Sequence, residues 1–74
     1  MKLGKYKHYK GGLYRVIGVA RLEADPSEEF VVYKALYESD EFGKDALWIR
    51  PKGIFAQKVI FKGKSVPRFK FVGK

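Results

Sequence analysis

Apolar residues along this chain fall into short runs separated by turn-forming residues. "LYRVIGVARL", "FVVYKALY", "ALWIR" and "KVIF" are four such runs, and "RFKFV" closes the series. The breaks lie at Gly11-Gly12, Asp25-Pro26, Ser39 to Lys44, Pro51-Lys52-Gly53, Gly63-Lys64 and Pro67. These residue types supply positive φ, fix φ, or compete for backbone hydrogen bonds, so they punctuate secondary structure. Inside the runs, apolar and polar positions alternate. Val31, Tyr33, Ala35 and Tyr37 share one face against Val32, Lys34, Leu36 and Glu38, and Phe69 and Phe71 alternate with Arg68 and Lys70. A period of two is the signature of a strand.

A helical reading competes in two places. Leu13, Val16, Ile17 and Ala20 also fit i, i+3, i+4, i+7 spacing, and "DPSEE" (25–29) has Asp25, Pro26 and Glu28 where a helix start wants them. Against this, the runs are rich in β-branched and aromatic residues, and Gly18 mid-run costs a helix about 1 kcal/mol relative to Ala. The strand reading makes "DPSEE" a turn between two long strands. Pro51 then enters a single 3₁₀ turn, Gly63 supplies the positive φ of a tight hairpin, and Gly18 marks a bulge or a close backbone approach. Gly11 and Gly12 form a bend with His8 beside it. The expected architecture is all-β: a small SH3-like, partly open barrel of about five strands with one 3₁₀ turn near Pro51.

Seventy-four residues suit one domain, residues 1–74 with an ordered core over about 4–71. A domain of this size buries only about 60% of its unfolded surface. With no Cys and one His, neither disulfides nor a Cys-based zinc site reinforces it, and no metal or cofactor is expected. Six Phe, five Tyr and Trp48 must therefore supply much of the core. No apolar run is long enough to span a bilayer and no export segment stands out, so a cytoplasmic, non-membrane protein is expected.

Charge changes the picture. The net charge is +8, and it is segregated: residues 1–22 carry only cations, residues 23–45 carry all eight acids, and residues 46–74 carry only cations. If the two basic ends meet in space, they make one basic face suited to an anionic partner. Lys10, Arg15, Lys52, Arg68 and Lys70 are its candidate nucleic-acid contacts, with "VPRFKFVGK" interleaving cations and rings as single-strand binders do. No base-reading motif is present, so such binding is expected to be led by the backbone and weakly sequence-specific.

No nucleophile motif, phosphate loop or paired-carboxylate site is visible, so no catalytic residue is assigned and the chain is not expected to be an enzyme. His8 is read as structural, its hydrogen bond fixing the "YKHYKGG" bend. Tyr6, Tyr9, Tyr33, Tyr37 and Trp48 are either core or an aromatic surface able to take a peptide, a quaternary ammonium or a base. Arg50 shares a strand face with Trp48, either stacked on the indole as an anion platform or paired with a carboxylate such as Glu38 or Glu41.

Four blocks in order, "GKYKHYKGGLYRVIGVARLE", "FVVYKALY", "LWIRP" and "VPRF", carry a resemblance to a small bacterial family of unknown function, domain-of-unknown-function family 1653. The resemblance covers about Gly4 to Phe69. It implies an SH3-like β-barrel and no activity, with Tyr6, His8, Tyr9, Lys10, Gly11, Tyr14, Val16, Tyr33, Leu36, Tyr37, Trp48, Arg50 and Pro51 on the family pattern. The loop "ESDEFGKDA" is longer than that pattern, and the Lys-rich tail is more basic. The leading functional expectation is a non-catalytic binding module for a protein or peptide segment through the Tyr/Trp face. The alternative is a nucleic-acid-binding module on the basic face.

Overall fold

Seven strands and one helical turn make up the chain in the computed structural model, which describes residues 1–74. In order they are β1 (Gly4–His8), β2 (Leu13–Leu22), β3 (Asp25–Ala35), β4 (Leu47–Pro51), α1 (Lys52–Phe55), β5 (Lys58–Phe61), β6 (Lys64–Pro67) and β7 (Phe69–Gly73). Five strands form one antiparallel sheet in the order β4-β3-β2-β1-β7, and β5 and β6 form a separate hairpin. The sheet does not close on itself, so the architecture is an open SH3-like fold. Of the five strands expected from the sequence, β2, β3, β4 and β7 lie in this sheet and β5 lies in the hairpin; β1 and β6 raise the total to seven.

The hairpin turns on Lys62 and Gly63, with φ of 53° and 78°. Consecutive positive φ values are what the twist of a two-residue hairpin demands, and glycine meets that at least cost. At the other bend, the His8 N–H donates to the Gly12 carbonyl (2.8 Å) and the Gly11 N–H to the His8 carbonyl (2.7 Å). Gly18 sits at a register shift between Val16 and Gly18. A Cβ there would meet nothing within 4 Å, so its role is the bulge and not a close approach.

Two local expectations need correction. The segment after Pro51 is one turn of α-helix, not 3₁₀: the Ala56 N–H reaches the Lys52 carbonyl four residues back (3.0 Å). Only its exit tightens, with the Gln57 N–H on the Ile54 carbonyl (3.1 Å). "DPSEE" is not the turn between strands either, since β3 already begins at Asp25. Pro26 has no N–H to offer a ladder, and the register jumps from Leu22–Asp25 to Arg21–Glu29. The looped-out residues are tied locally, by Ser27 Oγ donating to Asp25 Oδ1 (2.6 Å) and Arg21 donating to the Pro26 carbonyl (2.8 Å).

The core lies on one face of the sheet. Tyr6, Val16, Val31, Tyr33, Phe55 and Phe69 form it, with Tyr14 and Phe71 packed alongside. Alternation places Tyr6, Val16, Tyr33 and Phe69 on that face from four different strands. The α1 turn drops Phe55 onto them. Its ring stacks on Phe69 at 4.1 Å and meets Tyr6 and Tyr33 edge-on at 5.5 and 5.3 Å. Only eight residues are buried, so the large area each ring removes from water carries the fold.

Candidate functional site

The opposite face of the sheet is built from the residues between the core positions. Arg15 lies between Tyr14 and Val16, Lys34 between Tyr33 and Ala35, Lys5 and Lys7 on either side of Tyr6, and Lys70 between Phe69 and Phe71. Because side chains alternate along a strand, all five cations leave the core face. Register then aligns them. Lys34 sits directly opposite Arg15, Arg15 opposite Lys5, and Lys7 opposite Lys70. Like charges in directly opposed cross-strand positions are unfavourable, and the two ion pairs of the molecule, Arg21–Glu29 and Lys52–Glu29, relieve none of them. The basic ends of the chain do meet: β1 pairs with β7.

This row runs into a cleft. Lys7 and Lys70 line a cavity of about 320 Å³ together with His8, Tyr9, Phe61, Val66 and Pro67, between the β1–β7 edge and the β5–β6 hairpin. Tyr9 and Phe61 meet edge to face at 5.4 Å. Lys10 stands 5.8 Å over the Tyr9 ring, and Lys62 stands 5.3 Å over Phe61. The cleft thus has aromatic walls and a cationic rim, and no carboxylate lines it.

His8 holds the cleft's near wall. Its Nδ1 accepts the Lys10 backbone N–H at 3.1 Å, its ring lies 4.6 Å from Tyr9, and Phe69 abuts it edge-on at 4.9 Å. Burial, and then the charges of Arg50, Arg68 and Lys10, lower its pKa below the ordinary histidine value. A neutral ring is also what an accepting Nδ1 requires.

The expected Tyr/Trp face is dispersed by the fold. Tyr6 and Tyr33 are core residues, 8% and 4% exposed, and burial removes them from any surface. The Tyr6 hydroxyl donates to the Lys2 carbonyl (2.7 Å), and burial raises its pKa. Tyr37 is exposed, but its hydroxyl bonds that of Tyr14 at 2.6 Å. Burial of Tyr14, and then that hydrogen bond, push the Tyr14 pKa well above the usual phenol range. Trp48 lies on β4 against Phe42 (5.0 Å). Of the five rings, Tyr9 alone lines the basic cleft.

Arg50 takes neither of its expected partners. Its Nε donates to the Tyr33 hydroxyl (3.3 Å) and its guanidinium lies 5.6 Å over the Phe69 ring. Both contacts hold it over the core, where it neither stacks on Trp48 nor pairs with a carboxylate. Among the candidate nucleic-acid residues, Arg15 and Lys70 lie on the cation row and Lys10 beside the cleft. Lys52 instead sits 3.9 Å from Glu29, and Arg68 donates to Gln57 Oε1 (3.3 Å). Pro51 ends β4, as its missing N–H suits.

Sequence reasoning passed over Lys5, Lys34, Phe61, Val66 and Pro67. Phe61 was visible as a ring immediately before the Lys-Gly turn, but nothing local says which strand faces it. No cluster of His, Cys, Asp and Glu is arranged to hold a metal, and no helix is long and apolar enough to cross a membrane.

Comparison with known proteins agrees with this architecture. No protein with a curated description matches the chain. A crystal structure of a protein belonging to DUF1653 from Bordetella bronchiseptica superposes with a TM-score of 0.86 at 33% identity, covering 99% of this chain and 88% of that one. The family model described as "Protein of unknown function (DUF1653)" matches residues 4–71. By both measures, the chain belongs to the DUF1653 family.

Proposed function

We propose that this domain is a non-catalytic module that binds single-stranded nucleic acid, with its backbone along the cation row and a base in the Tyr9–Phe61 cleft. One observation carries the reading. Lys34, Arg15 and Lys5 stand in register across three strands, and Lys7 and Lys70 continue the row to an aromatic-walled cleft. Neighbouring strands are about 4.8 Å apart, so the first three cations span roughly 10 Å. That is a phosphate-rich length, and a polyanion relieves the repulsion that the row imposes on the fold. Unstacked bases have π-faces that rings accept regardless of sequence. A duplex hides those faces, so the single strand is the preferred ligand.

A second reading, an acidic peptide segment, is favoured by the apolar wall of Phe61, Val66 and Pro67 in the same cleft. The two separate in one experiment. Fluorescence anisotropy of a labelled random single-stranded oligonucleotide is followed at two salt concentrations, against the matching duplex and an acidic peptide. If about four phosphates are neutralised, single-strand affinity falls roughly fifty-fold between 50 and 200 mM salt. Phe61→Ala weakens the single strand and leaves weak duplex binding unchanged. Absence of oligonucleotide binding at low salt sinks the nucleic-acid reading, and saturable binding of the peptide alone replaces it.

A further inference from the structure

We propose that the free edge of β4 pairs antiparallel with β4 of a second copy of this chain, giving a two-fold dimer. The Ala35 N–H donates to the Ala46 carbonyl (2.9 Å), and the register sets Tyr33 opposite Trp48 and Val31 opposite Arg50. In an antiparallel ladder, backbone bonding alternates by residue. Ala46, Trp48 and Arg50 therefore spend their backbone groups on β3, and Leu47, Ile49 and Pro51 turn theirs to the open edge. Pro51 has no N–H, so the donors left on that edge belong to Leu47 and Ile49.

This edge complements itself. In a ladder centred on Trp48, Leu47 of each copy faces Ile49 of the other. Both donors and both acceptors are then matched, and Pro51 stays outside the ladder. Side chains agree on both faces. Leu47 and Ile49 are 63% and 64% exposed on the outer face, and the two-fold sets each against the other's counterpart. Trp48, 37% exposed on the inner face, meets its own copy across the axis. Natural edge strands are ordinarily guarded by an outward charge; Leu47 and Ile49 provide none.

Charge selects the partner and the direction. The turn before β4 holds Glu38, Asp40, Glu41 and Asp45 against Lys44, and the far end of the strand holds Arg50 and Lys52. An antiparallel pair lays the acidic end of one strand beside the basic end of the other. Lys52 keeps donors to spare, since Glu29 lies 3.9 Å away and an ammonium has three. A parallel pair would set acid beside acid. A two-fold perpendicular to the sheet also leaves the outer faces of both copies on one side, so both cation rows are displayed together.

Analytical ultracentrifugation of the full chain over a wide concentration series tests this, with Trp48 emission followed along the same series. The expected result is a monomer–dimer equilibrium in which Trp48 emission shifts to shorter wavelength as dimer forms. Ile49→Pro removes one edge donor per copy and leaves the β3 ladder untouched, so dimerisation weakens by about tenfold or more. Ile17→Lys changes an exposed residue on β2, two strands in from the edge, and leaves the equilibrium intact. Thermal unfolding of both variants shows that each remains folded. A chain that stays monomeric at every concentration overturns the proposal. So does association that Ile49→Pro leaves unchanged or that Ile17→Lys abolishes.

Discussion

The two faces of the five-stranded sheet are made from the same strands, one residue apart, and they obey opposite rules. The inner face interlocks six buried residues with Phe55 as its keystone. The outer face aligns Lys34, Arg15 and Lys5 with nothing to neutralise them. A sheet selected for stability alone would place opposite charges in those positions, since cross-strand pairs are the unit of sheet stabilisation. Inner positions are thus explained by folding, whereas the outer row is not, and the proposed single-strand site accounts for it.

Substitutions on the two faces should therefore differ in kind. Phe55→Ala removes the ring that stacks on Phe69 and touches Tyr6 and Tyr33, and Phe55 is only 1% exposed. The expected cost is about 3–5 kcal/mol, comparable to the whole stability of a domain this small. Circular dichroism should find the variant largely unfolded at room temperature. A cooperative unfolding curve close to the parent's would break the account of the core.

Arg15→Glu asks the outer face the reverse question. The new carboxylate stands opposite both Lys5 and Lys34, turning two repulsive pairs into attractive ones. Stability should rise by up to about 1 kcal/mol, by the usual size of cross-strand charge pairs. Single-strand affinity should fall, and its salt dependence should flatten. A variant that gains stability and keeps its affinity would separate the row from the binding site. Tyr37→Phe is smaller again. It deletes one exposed hydroxyl-to-hydroxyl bond with Tyr14, worth about 0.5 kcal/mol, the low end for a neutral hydrogen bond. Spectrophotometric titration should also show the Tyr14 phenol ionising at lower pH than in the parent.

The inner face was more legible in sequence than the outer. Val31, Tyr33 and Ala35 alternate cleanly, and their burial follows from that pattern. β1 and β6 were passed over for a physical reason. "GKYKH" and "KSVP" each carry too few apolar residues to make a run, and they hold their places through partners distant in sequence. The cation row was illegible for the same cause, since alternation gives Arg15 and Lys34 a face but only register sets them opposite each other. Tyr6 and Tyr33 show the limit from the other side. A ring with a hydroxyl suits core and surface equally, and the arrival of Phe55 from a separate helical turn decides it. The bend at His8 differs in being local: its Nδ1 accepts the backbone N–H of Lys10, two residues on.

His8 stands where the two faces join, against the core ring Phe69 and in the wall of the cleft, and its effect is the smallest expected. Its pKa in the fold is lowered, first by burial and then by Arg50, Arg68 and Lys10, whereas in the unfolded chain it sits near 6.5. Protonation therefore favours the unfolded chain. The stability that neutral His8 contributes is complete above about pH 6.5 and declines as pH falls through that value, until the folded-state pKa is reached. His8→Gln keeps an acceptor for the Lys10 N–H and has no proton to gain. Urea unfolding of parent and variant should thus show a difference in stability that is constant above neutrality and shrinks below it. A difference that grows on acidification would mean that the fold stabilises the imidazolium, and would place an anion-seeking charge in the cleft wall itself.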